Sequence, residues 1–230
     1  MQQTLLFLAA AACAYLLGSI PFGFLAGCIR GVDVRKAGSG NIGATNVFRT
    51  LGPGPGIATF LLDAAKGVAA ARVVPWAVWL LAGAEPPRAA ALVCAAAVLA
   101  GHGFPLFLSF KGGKGVATGL GCALSIVPHS ALAALAVWIA VFLATRYVSV
   151  GSIAAALVAA AAPWALDRGA GAAACALVSA LALLIVWKHR SNVRRLLAGT
   201  ENRFCFTARQ RAARDAAKRA AAAETPAPTP

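Results

Sequence analysis

Apolar residues occur along this chain in long uninterrupted runs, separated by short polar segments rich in Gly, Lys and Arg. Several runs approach the roughly 20 residues that an α-helix needs to cross a bilayer. The fourth run is shorter and ends at a proline. The pattern predicts an all-α, polytopic membrane helix bundle of about seven transmembrane helices, at residues 4–29, 57–81, 89–107, 116–127, 130–145, 151–166 and 171–187.

Composition supports a membrane protein over a soluble one. Only 12% of the residues are charged and 60% are hydrophobic, whereas soluble domains have roughly a quarter charged residues. The first apolar run lacks a preceding basic segment and is longer than the core of a secretory signal, so we expect it to remain as a span. The six cysteines are scattered, without a CxxC pair, and are predicted to be packing residues with no metal site.

The charge distribution indicates both the partners and the orientation. A net charge of +14 would suggest nucleic acid for a soluble protein, but here the cations flank apolar runs. Membrane lipid and anionic substrates are therefore the expected partners, and nucleic acid is not. Lys and Arg gather in alternate loops, so the positive-inside rule predicts an N-terminus outside and a C-terminus in the cytoplasm. We expect a membrane domain at residues 1–201 and a disordered basic Ala/Arg/Pro-rich tail at residues 202–230.

The first polar segment, "AGSGNIGATNVFR" at residues 37–49, has the composition of an anion site. Gly38, Gly40 and Gly43 are expected to allow positive φ angles, and successive N–H groups in such turns bind anions. Arg49 offers a planar donor fork suited to phosphate. Short polar side chains add further hydrogen-bonding groups: Ser39, Asn41, Thr45 and Asn46. An interfacial turn without a ligand would explain the same segment, and the segment alone leaves both interpretations open.

The second polar segment, "GHGFPLFLSFKGGKGVATG", places two lysines around a glycine backbone just before a predicted helix. Free N–H groups and the helix dipole favour anions there. The cations are Lys111 and Lys114, and the glycines between them are Gly112 and Gly113. The spacing is not that of a Walker A motif, and no strand precedes it. A basic glycine turn at the membrane surface remains the alternative.

The third segment, "WKHRSNVRRLLAGTE", follows the last apolar run. His189 and Asn192 are three residues apart and are predicted to share one helix face. An amphipathic helix at the headgroups is the alternative interpretation. Glu201 is one of only seven acidic residues, and we expect it to pair with a loop cation in a structural role.

Three further residues complete the sequence-based site. Asp63 and Lys66 are spaced i, i+3 inside an apolar run, where a charge needs a partner, and we predict a structural ion pair. Ser149 lies in another loop on the cytoplasmic side and adds a hydroxyl to the same region. Because the three polar segments are all predicted on one membrane face, a composite anion site becomes the favoured interpretation.

The three segments resemble, in order, the signature segments of the bacterial acyl-phosphate:glycerol-3-phosphate acyltransferases, and the resemblance extends over residues 5–201. It implies a seven-span inner-membrane enzyme that transfers a fatty acyl group from acyl phosphate to the 1-hydroxyl of glycerol 3-phosphate. The products are 1-acyl-glycerol 3-phosphate (lysophosphatidic acid) and phosphate, in the first step of phospholipid synthesis. No metal or organic cofactor is implied, and the enzyme that supplies acyl phosphate is an expected partner.

The resemblance also implies roles for individual residues. Catalysis would rest on His189, Asn192, Ser39 and Arg49. Glycerol 3-phosphate would be held by Arg49, Lys114, His189, Asn192 and Ser39. Acyl phosphate would be held by Gly40, Asn41, Gly43, Thr45, Asn46, Lys111, Gly112, Gly113 and Ser149. Whether His189 or the substrate phosphate takes the hydroxyl proton stays open.

Two other classes of protein would explain part of the pattern. An organic-phosphate transporter predicts a site near the midplane, with broken helices in repeated halves. A structural scaffold leaves the dense Gly, Asn, Ser and Lys segments unexplained. The chain has no His followed five positions later by Asp, the pair used by many other glycerolipid acyltransferases.

Overall fold

The computed structural model of the protein describes residues 1–205, and this part of the chain contains helices and loops but no strand. A five-residue π-helical turn occurs at Ala69–Val73. Short 3-10 turns occur at Leu106–Leu108 and Arg168–Ala170. The α-helices are α1 (Gln2–Ser19), α2 (Phe22–Ile29), α3 (Ala44–Leu51), α4 (Pro53–Val68), α5 (Val74–Leu81), α6 (Arg88–Gly103), α7 (Val116–Ile126), α8 (Pro128–Thr145), α9 (Val148–Ala161), α10 (Pro163–Leu166), α11 (Ala172–Lys188) and α12 (Arg190–Leu197).

Four helical segments of the described chain have the length and hydropathy of membrane spans: Gln2–Ile29, Arg88–Leu108, Pro128–Thr145 and Val148–Leu166. A fifth is added if α11 and α12, which are bent by 45° at their junction, count as one span. The all-helical prediction is confirmed, and every predicted apolar run contains helix. The count of seven spans and the sides of the termini remain predictions. The tail lies outside the described residues from residue 206 onward.

The first apolar run was predicted as one helix, but it breaks at Pro21. α1 ends at Ser19 and α2 begins at Phe22, because proline has no N–H for the helix ladder. The break leaves carbonyl groups without helical partners. Lys66 of α4 donates to the carbonyls of Gly18, at 3.1 Å, and Ile20, at 3.0 Å.

The predicted pair between Asp63 and Lys66 is formed inside the bundle. The Lys66 ammonium lies 2.8 Å from an Asp63 carboxylate oxygen, and both side chains are buried. His102 of α6 lies 3.7 Å from the same oxygen. Since Lys66 also contacts the α1–α2 break, this pair ties α4 to α1, α2 and α6.

Glycines allow the helices of the bundle to approach closely. A Cβ atom at Gly18 would collide with the backbone of α6, and one at Gly101 with the backbone of α1. Gly67 and Gly121 make the corresponding contacts between α4 and α7. Small residues at such crossings are typical of helices that pack in a membrane, where tight van der Waals contact replaces the hydrophobic effect.

Candidate active site

The first polar segment forms a tight loop followed by a short helix that the apolar pattern did not predict. Gly38 and Gly40 adopt positive φ angles of 62° and 71°, as expected for residues without a Cβ. Gly43 was expected to do the same, but it is extended at φ −74° and precedes the first residue of α3. Its N–H donates to the side chain of Asn41 at 2.8 Å, so the turn at this point is built by hydrogen bonding and not by a left-handed glycine.

Asn46 holds this loop in shape from inside. Its side-chain oxygen accepts the N–H of Ser39 at 2.7 Å, and its side-chain nitrogen donates to the carbonyls of Val34 and Ala37 at 2.8 and 3.1 Å. Asn46 is 2% exposed, whereas Ser39 and Gly40 lie at the surface. The side chain of Asn46 is therefore fully used within the protein.

The second polar segment is held by α6 and α11. The N–H of Gly113 donates to the carbonyl of His102 at 3.0 Å, and a Cβ atom at Gly112 or Gly113 would collide with His102. Lys188, at the end of α11, donates to the carbonyls of Gly103 and Gly113 at 3.0 and 3.3 Å. Glycine is thus required here for close approach to α6.

Two lysines of this segment have different surroundings. Lys111 is exposed. Lys114 turns inward, and its ammonium group donates to the side-chain oxygen of Asn192 on α12. The second and third polar segments therefore meet at this contact.

Glu201 is the centre of the hydrogen-bond network that joins these segments. Its carboxylate accepts from Asn192 at 2.7 Å, from the Ser149 hydroxyl at 2.9 Å and from Arg195 at 2.7 Å. The predicted pairing with a cation is formed, and that cation is Arg195 on α12 and not a loop residue. Burial would raise the pKa of Glu201, but the hydrogen bonds from Asn192, Arg195 and Ser149 outweigh it and lower the pKa.

His189 lies at the junction of α11 and α12 and is 3% exposed. Its Nδ1 donates to the carbonyl of Ile185 at 2.8 Å, so in the neutral ring Nε2 carries the lone pair. Burial, with a contribution from the charge of Lys114, lowers the pKa of His189 to about 4. His189 is therefore neutral near pH 7 and accepts hydrogen bonds through Nε2.

The cations of this region are crowded around one carboxylate. Burial lowers the pKa of Lys114 to about 8; Glu201 opposes this shift, and Arg195 and Arg49 add to it. Arg49, on α3, donates to the backbone carbonyl of Asn202 at 3.1 Å. Three cations beside a single carboxylate leave an excess of positive charge that favours a bound anion.

The structure brings two groups of the predicted residues together, whereas Ser39, Gly40 and Lys111 lie at the surface outside both. The first meets at one end of the bundle, which we call the polar end, and it comprises Arg49, Lys114, Ser149, His189, Asn192 and Glu201. Asp63 and Lys66 belong to a separate buried cluster with His102. Sequence reasoning missed the contribution of Arg195, Lys188 and Asn202. The only available signal was the presence of one acidic residue, Glu201, in a strongly basic segment.

An apolar cavity of about 440 Å³ begins at the polar end. Thr45, one turn before Arg49 on α3, and Phe48, directly before Arg49, line it there. From α3 the lining continues between α7, α8, α9 and α11 to Ile126, Ala131 and Val178. On α8 the lining runs from Ala131 to Phe142, a distance of about 16 Å along the helix axis. A cation cluster and a long apolar slot therefore share one short helix.

The family profile for glycerol-3-phosphate acyltransferase matches residues 8–199. This chain belongs to that family. Proteins called glycerol-3-phosphate acyltransferase include one from Geobacter sulfurreducens, 49% identical over 193 residues, which cover 84% of this chain and 95% of that protein. Another, from Anaeromyxobacter sp., is 46% identical over 204 residues, which cover 88% of this chain and 98% of that protein.

Solved structures agree with the assignment to an integral membrane acyltransferase. The crystal structure of PlsY (YgiH), an integral membrane glycerol 3-phosphate acyltransferase in its glycerol 3-phosphate form, matches with a TM-score of 0.77 and 38% identity. The match covers 86% of this acyltransferase and 96% of that chain. The lysophosphatidic acid form of PlsY matches with a TM-score of 0.74. Within residues 1–205, no group of His, Cys, Asp and Glu side chains is placed to hold a metal ion.

Proposed function

We propose that this acyltransferase moves a fatty acyl group from an acyl phosphate to the 1-hydroxyl of glycerol 3-phosphate, giving 1-acyl-glycerol 3-phosphate and phosphate. One observation carries the proposal. α3 contributes Arg49 to the cation cluster and Thr45 to the lining of the apolar cavity. An acyl phosphate has an anionic end and a long apolar end, so it matches this junction in both charge and shape.

Glycerol 3-phosphate is held at the polar end by Arg49, Lys114, His189, Asn192 and Ser39. The Lys114 ammonium, which contacts Asn192 in the structure, turns to the substrate phosphate. Asn192 then presents its side chain to the glycerol hydroxyls. Glu201 holds the Asn192 amide from the other side and acts as a positioning residue.

Acyl phosphate is held next to it by the first loop. Backbone groups of Gly40 and Asn41 lie at its accessible surface, and Thr45, in the first turn of α3 after the loop, lines the cavity. Lys111 and Gly112 approach from the second segment, whereas the Ser149 hydroxyl donates to Glu201 and acts through that carboxylate. Asn46, Gly43 and Gly113 use their polar groups within the protein, so their contribution is the shape of the two loops.

The reaction then needs positioning more than activation. The glycerol hydroxyl oxygen attacks the acyl carbon, a C–O bond forms, and the bond between the acyl carbon and the phosphate oxygen breaks. Phosphate is a good leaving group, so orientation and stabilisation of charge by the cations provide the main rate enhancement.

The hydroxyl proton goes to substrate phosphate in this proposal. A phosphate monoester has a second pKa of about 6, which makes it a stronger base than His189, whose pKa is about 4. His189 orients the glycerol by accepting a hydrogen bond from the neighbouring 2-hydroxyl at Nε2, so the proton of the 1-hydroxyl is left to the phosphate. Of the two candidate bases that the sequence left open, the lower pKa of His189 supports the phosphate.

We also propose the membrane arrangement expected from the sequence: seven spans, an N-terminus outside, and an active site facing the cytoplasm at the bacterial inner membrane. Basic loops at the polar end support this orientation. The site lies at helix ends, whereas a transporter would bind its substrate near the midplane between broken helices. The enzyme that supplies acyl phosphate is the proposed protein partner.

The test is turnover by purified protein in detergent, with palmitoyl phosphate and glycerol 3-phosphate as substrates. Phosphate release and 1-acyl-glycerol 3-phosphate are measured, and palmitoyl-CoA replaces the donor in a parallel assay. We expect turnover with palmitoyl phosphate alone and its loss in Arg49→Ala. Arg30→Ala, at an exposed arginine outside the cluster, should retain activity. Folded wild-type protein that turns over neither donor would contradict the proposal.

A further inference from the structure

The chain after Glu201 folds back over the polar end of the bundle. We call residues 202–204 the strap. The N–H of Phe204 donates to the carbonyl of Arg146, in the turn between α8 and α9, at 2.8 Å. Arg146 has a positive φ of 62°, which is uncommon for a residue with a Cβ. In this turn the carbonyl of Arg146 accepts a hydrogen bond from the strap and not from a helical N–H group.

An aromatic cluster fixes the other side of the strap. The Phe204 ring lies 5.0 Å from the ring of Phe48 on α3 and 5.3 Å from the ring of Phe142 on α8, edge to face in the second case. Aromatic pairs at these distances each contribute about 0.5–1.5 kcal/mol beyond area burial. The strap thus bridges α3 and α8.

Phe204 is also part of the cavity wall. It lines the apolar cavity together with Thr45, Phe48 and Val148, all at the polar end. The opposite end of the cavity is formed by Ile126 and Ala131. Phe204 therefore lies where the first carbons of a chain would enter if its anionic end were held by the cation cluster.

The strap connects this wall directly to the cation cluster. Arg49 donates to the carbonyl of Asn202, two residues before Phe204, and Glu201 immediately precedes Asn202. The segment from Glu201 to Phe204 therefore contacts the groups proposed to bind phosphate at its start and forms part of the wall of the apolar cavity at its end. The family profile ends at residue 199, so the strap lies beyond the part of the chain that the profile describes.

We propose that Phe204 is a binding residue for the acyl donor, and that its ring packs against the acyl chain next to the reacting carbon. The identity of the donor rests on the function proposed above. The strap fixes the position of this ring relative to Arg49. The apolar and anionic ends of the donor are therefore bound by groups that one short segment connects.

The test measures binding and turnover separately in the full chain. The binding probe is 2-oxoheptadecyl phosphonate, in which a methylene replaces the bridging oxygen of palmitoyl phosphate, and its dissociation constant is measured by equilibrium dialysis. Phe204→Ala should weaken binding about tenfold, the scale of losing a contact in an apolar pocket. The KM for palmitoyl phosphate should rise by a similar factor. The KM for glycerol 3-phosphate should change less than threefold.

A second test compares kcat/KM for donors with acyl chains of different length. Because Phe204 lies at the polar end, the loss of kcat/KM in Phe204→Ala should be the same for lauroyl phosphate and palmitoyl phosphate. Phe107→Ala is the matched control, since Phe107 is 59% exposed and lies outside the cavity lining. If Phe204→Ala does not give folded protein, Phe204→Leu, which keeps an apolar side chain, should weaken binding about threefold.

The outcomes separate this inference from the proposed function. Equal phosphonate binding by wild type, Phe204→Ala and Phe107→Ala would overturn the role of Phe204, whatever the activity. Tight phosphonate binding that depends on Phe204, in a wild-type protein without turnover, would leave this inference standing and reject the proposed reaction.

Discussion

Asn192 donates its side-chain amide to the buried carboxylate of Glu201 at 2.7 Å, and this bond fixes which end of the amide faces Lys114. An Asn side chain has one donor end and one acceptor end. An ionised carboxylate can only accept hydrogen bonds, so the Asn192 side-chain nitrogen must face Glu201. The Asn192 oxygen is then presented to the lysine. Orientation of the site thus depends on a residue that need not touch substrate.

Replacing Glu201 by Gln should disturb this orientation without removing volume. We expect kcat/KM for glycerol 3-phosphate to fall about 10- to 100-fold, since hydrogen bonds to a charged group contribute roughly 1.5–3 kcal/mol. The thermal unfolding midpoint should also fall. Steady-state kinetics and a thermal melt measure the two effects. Glu85→Gln, at an exposed acidic residue, is the control; an unchanged kcat/KM in Glu201→Gln would show that the network does not orient the site.

Lys114 should impose an upper limit on the working pH. Its pKa is lowered to about 8, so its positive charge is present below pH 8 and lost as the pH rises through that value. Affinity for the glycerol 3-phosphate dianion should therefore fall above pH 8. This fall forms the basic limb of the pH profile. Lys114→Arg should shift the basic limb to higher pH, because arginine stays charged.

The measurement is the pH profile of kcat/KM for glycerol 3-phosphate between pH 6 and pH 10. Lys36→Arg, at an exposed lysine, should retain the wild-type limb. A limb that stays at the same pH in Lys114→Arg would assign it to another group.

His189 should not produce the acidic limb of the profile. With a pKa of about 4 it is neutral across the range where substrate phosphate, with a second pKa of about 6, titrates. We expect His189→Gln to lower kcat while the acidic limb keeps its position. The control is His129→Gln, because His129 is exposed and lies outside the polar end. Disappearance of the acidic limb in His189→Gln would identify His189 as the base instead.

The far end of the cavity should limit donor length. Ala159 of α9 lines the cavity and is half-buried, so a larger side chain there shortens the slot. We expect Ala159→Phe to reduce kcat/KM for palmitoyl phosphate about tenfold, with little effect on a donor a few methylenes shorter. Ala136→Phe, at an exposed position of α8 outside the lining, controls for added bulk. Equal losses for both donor lengths would argue against a chain-length limit at Ala159.

Much of the architecture follows from the sequence because it depends on local signals. Apolar runs predicted the helices, and the glycine-rich segments predicted turns at Gly38 and Gly40. α3 was missed because eight residues with mixed polarity give too short a pattern. The break at Pro21 had a visible signal, but a long apolar run concealed its effect.

Contacts between distant segments could not be predicted in this way. Arg49 and Asn202 are 153 positions apart, and Ser149 and Glu201 are 52 apart. Their meeting depends on how the helices pack, which no local pattern encodes. The co-location of the polar segments on one face was inferred from the alternation of the predicted spans and the distribution of charge. The side-chain partners within that face required the structure.

The buried pair of Asp63 and Lys66 has a consequence for how this protein changes over evolutionary time. Loss of either charge alone leaves the other buried without a partner, which lowers the free energy of unfolding by about 3–5 kcal/mol. Loss of Lys66 also removes the donor to the carbonyls left open by Pro21. Pro21, Asp63 and Lys66 are therefore expected to be conserved together. In relatives where one of them is substituted, we expect the other two to be substituted as well.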